Sequence, residues 1–275
     1  MLGCSSVFGL SSDPLKDIFL LYKRVTEQYR NPDILKILRS LIPDNIALQT
    51  KKEDGNNIVH LLRWFKNDFM RWTPKDPVCD RCITTAPAND ESHHYNCGVS
   101  NNINVSRSAS AVAGPMQSQI IIGNSWKMRK VEVFHCNNCN YEYIFPRYGE
   151  ILKIAETKTG RCSEWSMLFG AMLSSLEIKA RIVHDFLDHC WNEAVLSQDG
   201  EWIHIDSTLD YPISLNHPYY YEQNWGKEYE YVLAFSADRI EDVTQKYTLK
   251  WEAIQQRRLK YKKNAIDFPK VYSRI

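Results

Sequence analysis

The sequence predicts an α+β fold: a helix packed on an antiparallel sheet, with a four-cysteine metal-binding region upstream and helical flanks at both ends. Three observations predict it. Apolar residues recur at three and four positions from Cys162 onward. Three short runs of β-type residues follow, the last two joined by a turn signal. Two C-x-x-C knuckles lie before the helix, and paired knuckles of this spacing are a metal-binding pattern.

The flanking elements come first in the chain. Asp13-Pro14 is an N-cap and first-turn pair, followed by Leu15, Ile18, Phe19, Tyr22 and Val25 on one helical face. A second helix follows Asn31-Pro32 and carries Ile34, Leu35, Leu38 and Leu41, and a third is predicted over Ile58–Trp72. These elements make up an N-terminal helical region, residues 1–72.

The metal-binding region is expected over 73–145. Cys79-Asp80-Arg81-Cys82 and Cys136-Asn137-Asn138-Cys139 are separated by 53 residues, a long excursion, but loop-closure entropy grows only slowly with length. Four thiolates suit one tetrahedral, water-free Zn²⁺ with a structural role. Two separate redox pairs are the competing reading. The stretch 84–119, rich in Ser, Asn, Ala and Gly, reads as a flexible insertion, and His93, His94 and Cys97 inside it are loop residues rather than a second metal site. Pattern returns at Val131–His135, a strand entering the second knuckle.

The catalytic core is predicted over 146–247. Cys162 follows a glycine turn at Gly160 and precedes Trp165, Leu168, Phe169, Met172, Leu173 and Leu176, so the thiol stands at a helix N-terminus. A free thiol has a pKa of about 8.5, and a helix N-terminus with a nearby imidazolium lowers it. Downstream, runs at Lys179–Val183, His189–Val195 and Glu201–Asp206 read as strands, the last two joined by Ser197-Gln198-Asp199-Gly200 into a hairpin. A four-residue loop pairs Val195 with Trp202 and Trp191 with Asp206, which leaves His189 diagonal to Asp206 on the same face; a two-residue Asp-Gly turn changes the partner of Asp206 to Glu193 but keeps the face. Cys162, His189 and Asp206 thus occur in order within 45 positions as nucleophile, base and orienter of a cysteine triad. Taken singly each residue has a plain structural explanation; the ordered set favours catalysis. A last helix beginning near Trp251 forms a C-terminal extension, 248–275, whose basic run Arg257–Lys263 reads as a solvated face.

These segments carry a resemblance. Gly160-Arg161-Cys162-x-Glu164-Trp165, Asp188-His189-x-Trp191-x-Glu193 and His204-x-Asp206 resemble the catalytic segments of the cytoplasmic peptide:N-glycanase family, within the transglutaminase-like, papain-like cysteine enzymes. Trp64–Trp72, Phe145-Pro146-Arg147-Tyr148, Asn224-Trp225-Gly226-Lys227, Ala234-Phe235-Ser236 and Asp242–Tyr247 fall in family order, so the resemblance covers roughly residues 58 to 258. It implies cleavage of the amide that joins an N-linked glycan to asparagine, with aspartate left in the peptide. It also implies one structural zinc on Cys79, Cys82, Cys136 and Cys139, and a substrate cleft containing Glu193, Trp225, Trp191 and Trp165. The implied substrates are misfolded N-glycoproteins, and the implied partners are ubiquitin receptors of the proteasome, with the first helix a candidate docking element. Two departures stand out: Ser163 replaces the family's glycine after the nucleophile and is expected to narrow the cleft, and the acidic residue of the Ser207–Asp210 segment is displaced by one. A transglutaminase or protease activity, or a non-enzymatic adaptor, are the alternatives.

Composition sets the outer bounds. Of 275 residues, 44% are hydrophobic and 12% aromatic, a globular balance, and a formal net charge of +1 gives no reason to expect nucleic acid or an acidic membrane as partner. No basic n-region with an apolar run opens the chain and no segment reaches membrane-spanning length. A monomer with reduced cysteines in the cytosol, with the nucleus as a second compartment, is the expectation.

Overall fold

The structure, a computed structural model, describes residues 14–50, 57–79, 81, 117–125 and 128–260. Asp13, Cys82, His93, His94, Cys97 and the chain beyond 260 lie outside the described residues.

Helices open the chain: α1 (Pro14–Gln28), α2 (Pro32–Leu41), α3 (Asp44–Thr50) and α4 (Ile58–Trp64). Asn31 caps α2, its Oδ1 accepting the Asp33 and Ile34 N–H groups at 3.0 and 3.3 Å. That satisfies two of the donors a helix start leaves unpaired. Phe19, Tyr22 and Val25, on the predicted apolar face of α1, are buried, and Phe19 and Tyr22 meet the Phe235 ring at 5.7 and 4.9 Å. That part of the face is therefore committed to the core.

The third predicted helix is shorter than expected. After Trp64 it widens into a π-helical turn, Phe65–Phe69, and stops where the Met70 N–H bonds Phe65 O at 2.8 Å. Arg71–Trp72 then form β1, paired in parallel with β5 (Thr159–Gly160). The Arg71 and Thr73 N–H groups find the Lys158 and Gly160 carbonyls at 2.8 and 2.9 Å, which substitutes for continued helical bonding.

A separate antiparallel sheet is built from β2 (Gln117–Ser125), β3 (Met128–His135) and β4 (Glu142–Arg147), in that order. The strand β2 begins inside the predicted flexible insertion, at Gln117 against an expected end at 119, and its Ile120-Ile121-Ile122 run pairs Glu132, Val131 and Lys130.

The site rests on one helix and one sheet. After α5 (Ile151–Thr157), α6 (Cys162–Ser175) begins at the predicted cysteine. Every residue from Glu164 to Leu173 is buried, so α6 is a central helix rather than an amphipathic surface one. Each fully buried large apolar side chain contributes about 1.5–3 kcal/mol. It packs on a five-stranded antiparallel sheet of order β10-β9-β6-β7-β8, formed by β6 (Ala180–His184), β7 (Cys190–Val195), β8 (Trp202–Ile205), β9 (Leu233–Phe235) and β10 (Ile240–Asp242). One sheet face, with Ile182, Ala194, Ile205 and Phe235, closes the main core with α1 to α6. The other, with Val183, Trp191 and Ala234, packs under α7 (Tyr220–Asn224), Tyr247 and α8 (Trp251–Lys260). The N-terminal helices and α6 share that main core. Arg257 and Arg258 are docked rather than simply solvated. Arg257 Nη2 bonds Tyr229 O at 2.6 Å, and Arg258 pairs with Asp242 at 2.8 Å.

Candidate active site

Gly160 precedes α6 because a Cβ there would collide with the Glu164 side chain, which folds back over the helix start. The Glu164 Oε2 accepts the Arg161 N–H at 3.0 Å, half of a capping box. Glu164 is fully buried, and Arg147 from β4 holds both of its oxygens, Nε to Oε1 at 2.8 Å and Nη2 to Oε2 at 3.0 Å. Arg147 also reaches Glu132 of β3 at 3.0 Å, and Arg161 reaches Glu132 at 2.8 Å. One buried ion cluster thus ties the three-stranded sheet to the first turn of α6. Ser163 belongs to it: its Oγ accepts from Arg147 Nη2 at 3.0 Å. The expected narrowing of the cleft is corrected accordingly, because this side chain is turned toward Arg147.

Cys162 is half-buried at the helix N-terminus, with Sγ 3.6 Å from Asp188 O. Its thiol lies well below the ordinary range; hydrogen bonding from the neighbouring Cys190 thiol is the largest cause, followed, against burial, by the bond and charge of His189. Cys190 is itself pushed up, by burial first and by Cys162 second, and so stays a neutral donor. Its sulfur accepts from Ser166 Oγ at 3.3 Å.

The hairpin has the register of the four-residue loop, with Val195 opposite Trp202 and Glu193 opposite His204. His189, just before β7, and Asp206, just after β8, therefore share a face, and His189 Nε2 lies 2.7 Å from Asp206 Oδ2. With Nε2 committed to Asp206, Nδ1 is the ring nitrogen left for Cys162. Burial alone would lower the His189 pKa, but the Asp206 charge and hydrogen bond, with Cys162, raise it to about 10. Asp206 moves the other way: against burial, His189 and the Thr208 hydroxyl hold it at about 2. The arrangement supports a thiolate facing an imidazolium that a carboxylate orients.

The loop before His189 is held open at its backbone. Asp188 adopts φ +113°, a left-handed conformation unusual outside glycine. Asp185 Oδ1 accepts the Leu187 and His189 N–H groups at 2.8 and 2.9 Å. Lys227 bridges Asp185 and Asp188 at 3.0 and 2.6 Å, and Lys75 adds a contact to Asp188 at 3.1 Å.

Of the four residues expected to line the cleft, one is open to it. Trp225 is 44% exposed and its ring meets His189 edge-on at 5.0 Å. Trp165 is 3% exposed and packs against Phe65 and Trp72, its indole N–H bonded to Gly160 O at 3.1 Å. Trp191 is 1% exposed and stacks on Tyr221. Glu193 has no exposed surface; Arg181 Nε and Lys246 Nζ each approach it at 2.6 Å, and Tyr247 Oη donates at 2.8 Å. The expectation of direct substrate contact is corrected for these three: two indoles are core, and the carboxylate is saturated by internal cations.

Two residues near the triad had no assigned role in the sequence. Tyr221 Oη lies 2.8 Å from Asp206 Oδ2, and His204 Nε2 lies 2.6 Å from that hydroxyl. His204 was visible in the His-x-Asp pattern, but only the fold brings Tyr221 to it.

Apart from this site, Cys79, Cys136 and Cys139 gather with their sulfurs within 4.8 Å of one another, and Cys79 and Cys139 at 3.6 Å. Sulfurs sharing one tetrahedral zinc at about 2.3 Å stand about 3.8 Å apart, so the spacing and the thiol donors fit a zinc-type ion. The second knuckle turns through Asn140, in a left-handed conformation, whose N–H returns to Cys136 O at 2.9 Å. Sulfur from one knuckle meets sulfur from the other, as a shared ion requires and two separate redox pairs do not.

Comparison with known proteins converges on this architecture. A profile of the transglutaminase-like superfamily matches residues 122–207, and one of the Rad4 transglutaminase-like domain matches 187–272. The chain is 32% identical over 231 residues to a Caenorhabditis briggsae peptide-N(4)-(N-acetyl-beta-glucosaminyl)asparagine amidase, covering 83% of this chain and 34% of that protein. It is 29% identical over 261 residues to the Yarrowia lipolytica protein of that name, covering 90% and 65%. With the Candida glabrata protein of that name the identity is 33% over 217 residues, covering 75% and 52%. The chain thus spans between about a third and two thirds of the length of these relatives.

Proposed function

We propose that this chain, a member of the transglutaminase-like superfamily with peptide-N(4)-(N-acetyl-beta-glucosaminyl)asparagine amidases among its relatives, is itself such an amidase, with Cys162, His189 and Asp206 as its triad. The observation that carries the reading is the similarity to these amidases along most of the chain, together with a lowered thiol at a helix start beside an imidazole that a buried carboxylate orients.

The reaction follows from that geometry. The Cys162 thiolate attacks the side-chain amide carbon of the glycosylated asparagine, and the oxyanion forms near the α6 N-terminus, where the Cys162 N–H is a free helix-start donor. His189 gives its Nδ1 proton to the departing glycosylamine nitrogen as the tetrahedral species collapses to a thioester. Neutral His189 then takes a proton from water, which hydrolyses the thioester and leaves aspartate. Asp206 keeps the imidazole oriented through both transfers. Trp225, exposed beside His189, offers its indole face to sugar C–H groups. The substrates are unfolded N-glycoproteins, met in the cytoplasm or nucleus, and proteasomal ubiquitin receptors deliver them.

Zinc is the ion proposed for Cys79, Cys136 and Cys139, with Cys82 as the fourth ligand. It supplies a fixed cross-link between the knuckles, and a structural zinc site contributes on the order of 10 kcal/mol to folding. Removal by a strong chelator is expected to unfold the three-stranded sheet and release Arg147 from Glu164, with activity lost in parallel.

The test is a denatured N-glycopeptide incubated with reduced, zinc-loaded protein. Glycan release with asparagine converted to aspartate, a gain of about one mass unit on the peptide, supports the reading, and Cys162→Ala abolishes both. Peptide cleavage or amine incorporation with the glycan intact assigns a protease or transglutaminase instead. An unchanged glycopeptide leaves a binding adaptor.

A further inference from the structure

The buried groups behind the triad form a hydrogen-bond chain whose direction can be read from its ends. The His217 backbone N–H donates to His204 Nδ1 at 3.2 Å, so that nitrogen is the acceptor of the ring. A neutral His204 then carries its proton on Nε2, 2.6 Å from Tyr221 Oη, and donates it there. The Tyr221 hydroxyl therefore accepts from His204 and has its own proton left for Asp206 Oδ2 at 2.8 Å. His204, Tyr221 and Asp206 are all fully buried, so no water competes for these positions. The other carboxylate oxygen, Oδ1, is occupied by the Thr208 N–H at 2.9 Å and Thr208 Oγ1 at 2.7 Å.

From this we infer that Tyr221, with His204 behind it, is a positioning residue of the reaction: its hydroxyl is a one-way donor that shares Asp206 Oδ2 with His189 and limits how tightly the carboxylate holds the imidazolium proton. The inference rests on the amidase reading only for the identity of the reaction, because the arrangement itself concerns Cys162, His189 and Asp206.

The physical reason is competition for one oxygen. Two donors on Oδ2 each take part of its charge, so removing the hydroxyl concentrates that charge on His189 and strengthens its grip on the proton. An imidazolium held more tightly is a poorer acid toward a leaving amine. The other groups facing the pair are few. Cys162 approaches from α6 and the uncharged Trp225 from above, while Asp185, Asp188 and Lys227 at the rim are paired with one another. Behind His204 stand Glu193 and Lys246, also paired. Burial is the main reason His204 stays neutral, its pKa lowered to about 4, so it acts as a donor and adds no second positive charge beside His189.

The test uses the zinc-loaded chain, and its first readout needs no glycopeptide. The rate at which iodoacetamide alkylates Cys162, followed on its own peptide by mass spectrometry from pH 5 to 11, reports the thiolate–imidazolium pair. In Tyr221→Phe the alkaline inflection is expected to move up by about half to one pH unit, a part of the roughly one to two units that a whole hydrogen bond to a buried charge is worth, because the hydroxyl shares Oδ2 with His189. On a denatured glycopeptide kcat should fall about tenfold with KM little changed. His204→Phe cuts the chain one step back and should give a smaller upward shift, which His204→Gln, whose amide N–H can stand in for Nε2–H, should largely reverse. Double substitution of Tyr221 and His204 by Phe should be no worse than Tyr221→Phe alone. An unmoved inflection in folded Tyr221→Phe overturns the inference, and if that variant does not fold, an unmoved inflection in His204→Phe does so. Glycan release by wild type with an unmoved inflection sinks the relay alone; a moved inflection without glycan release sinks the amidase reading alone.

Discussion

Two buried carboxylates face the same side of the central sheet, and their surroundings differ in kind. Asp206 at the end of β8 bonds to groups that can change state, His189 at 2.7 Å and, behind it, Tyr221 and His204. Glu193 in β7 bonds to Arg181 and Lys246 at 2.6 Å each, with Glu241 sharing Arg181. Both residues have no exposed surface. The front carboxylate is matched by the His189 ring, which also faces Cys162, and the back carboxylate by the cations Arg181 and Lys246. On the proposed function, chemistry and stability are therefore divided between two ends of one sheet face. The same side-chain type serves each end according to which partner the strand register brings to it.

The division is tested most severely at the front. Asp206→Asn keeps the shape but removes the charge that orients and stabilises the imidazolium, and a loss of about 10⁴-fold in kcat is expected, the scale of an orienting aspartate in a triad. Thermal stability should fall far less. At the back the order reverses. Arg181→Met leaves Glu193 buried with only Lys246 and Tyr247, and breaking a buried pair from one side costs roughly 3–5 kcal/mol. Denaturant unfolding should register that loss, whereas kcat per folded molecule should change little. Pairing Arg181→Met with Glu193→Leu should recover much of the stability, since well-packed apolar replacements of buried pairs are often neutral. A Glu193→Leu variant that folds stably yet loses activity out of proportion would erase the distinction between the two ends.

The front of this division was legible in the sequence and the back was not, for physical reasons. A strand has a side-chain period of two, so the turn at Ser197–Gly200 was enough to put His189 and Asp206 on one face. The same parity held for Glu193, but its partners lie 12 and 53 positions away, and Lys246 sits on a 3-10 turn after β10. No local pattern carries a contact of that separation, and the carboxylate was accordingly read as a ligand for substrate. Tyr221 was hidden for the same reason, being brought to Asp206 by a five-residue helix in the loop that follows. Arg147 was seen as part of a motif, yet its role as the tie between the knuckle sheet and α6 depends on Glu164 and Glu132 meeting it from opposite sides. Ser163 was read as narrowing the cleft, with activity retained, because sequence gives no rotamer. The strand β2 was missed whole: Gln117-Ser118-Gln119 continues the polar composition of the segment before it, and pattern was read again only from Val131.

Acid sharpens the comparison, because the pH-dependent stability sits at the front. His204 has a folded pKa of about 4, lowered chiefly by burial, against about 6.5 unfolded. The unfolded chain therefore binds a proton that the folded one does not, so stability is complete above pH 6.5 and drains as pH falls to 4, by on the order of 3 kcal/mol. Asp206, held at about 2 by His189 against its burial, adds a second loss as pH falls from about 4 toward 2. His189 works in the opposite sense: its contribution is complete below about 6.5 and is lost as pH rises to about 10. The lowered Cys162 thiol gains stability between neutral pH and about 9 where His189 loses it, so the two offset. Urea midpoints measured from pH 4 to 9 should thus rise to about 6.5 and then stay level, and His204→Gln should flatten the acid side between 6.5 and 4. An acid slope unchanged in that variant would move the origin of acid sensitivity away from the front of the sheet.

The smallest expected effect lies at the surface of the front end. Trp225 touches His189 edge-on at 5.0 Å and also packs on Tyr220 and Tyr221, yet 44% of it faces solvent. Its exposed face can stack on a sugar without displacing any internal contact, which neither Trp165 nor Trp191 can do from inside the core. Trp225→Ala should raise KM for a glycopeptide about three- to tenfold, the equivalent of about 1 kcal/mol of ring stacking, while the Cys162 alkylation profile and the unfolding midpoint stay near wild type. A fall in kcat with unchanged KM would instead make Trp225 a lid that holds the His189 ring in place, and the exposed indole would then belong with the positioning residues beneath it.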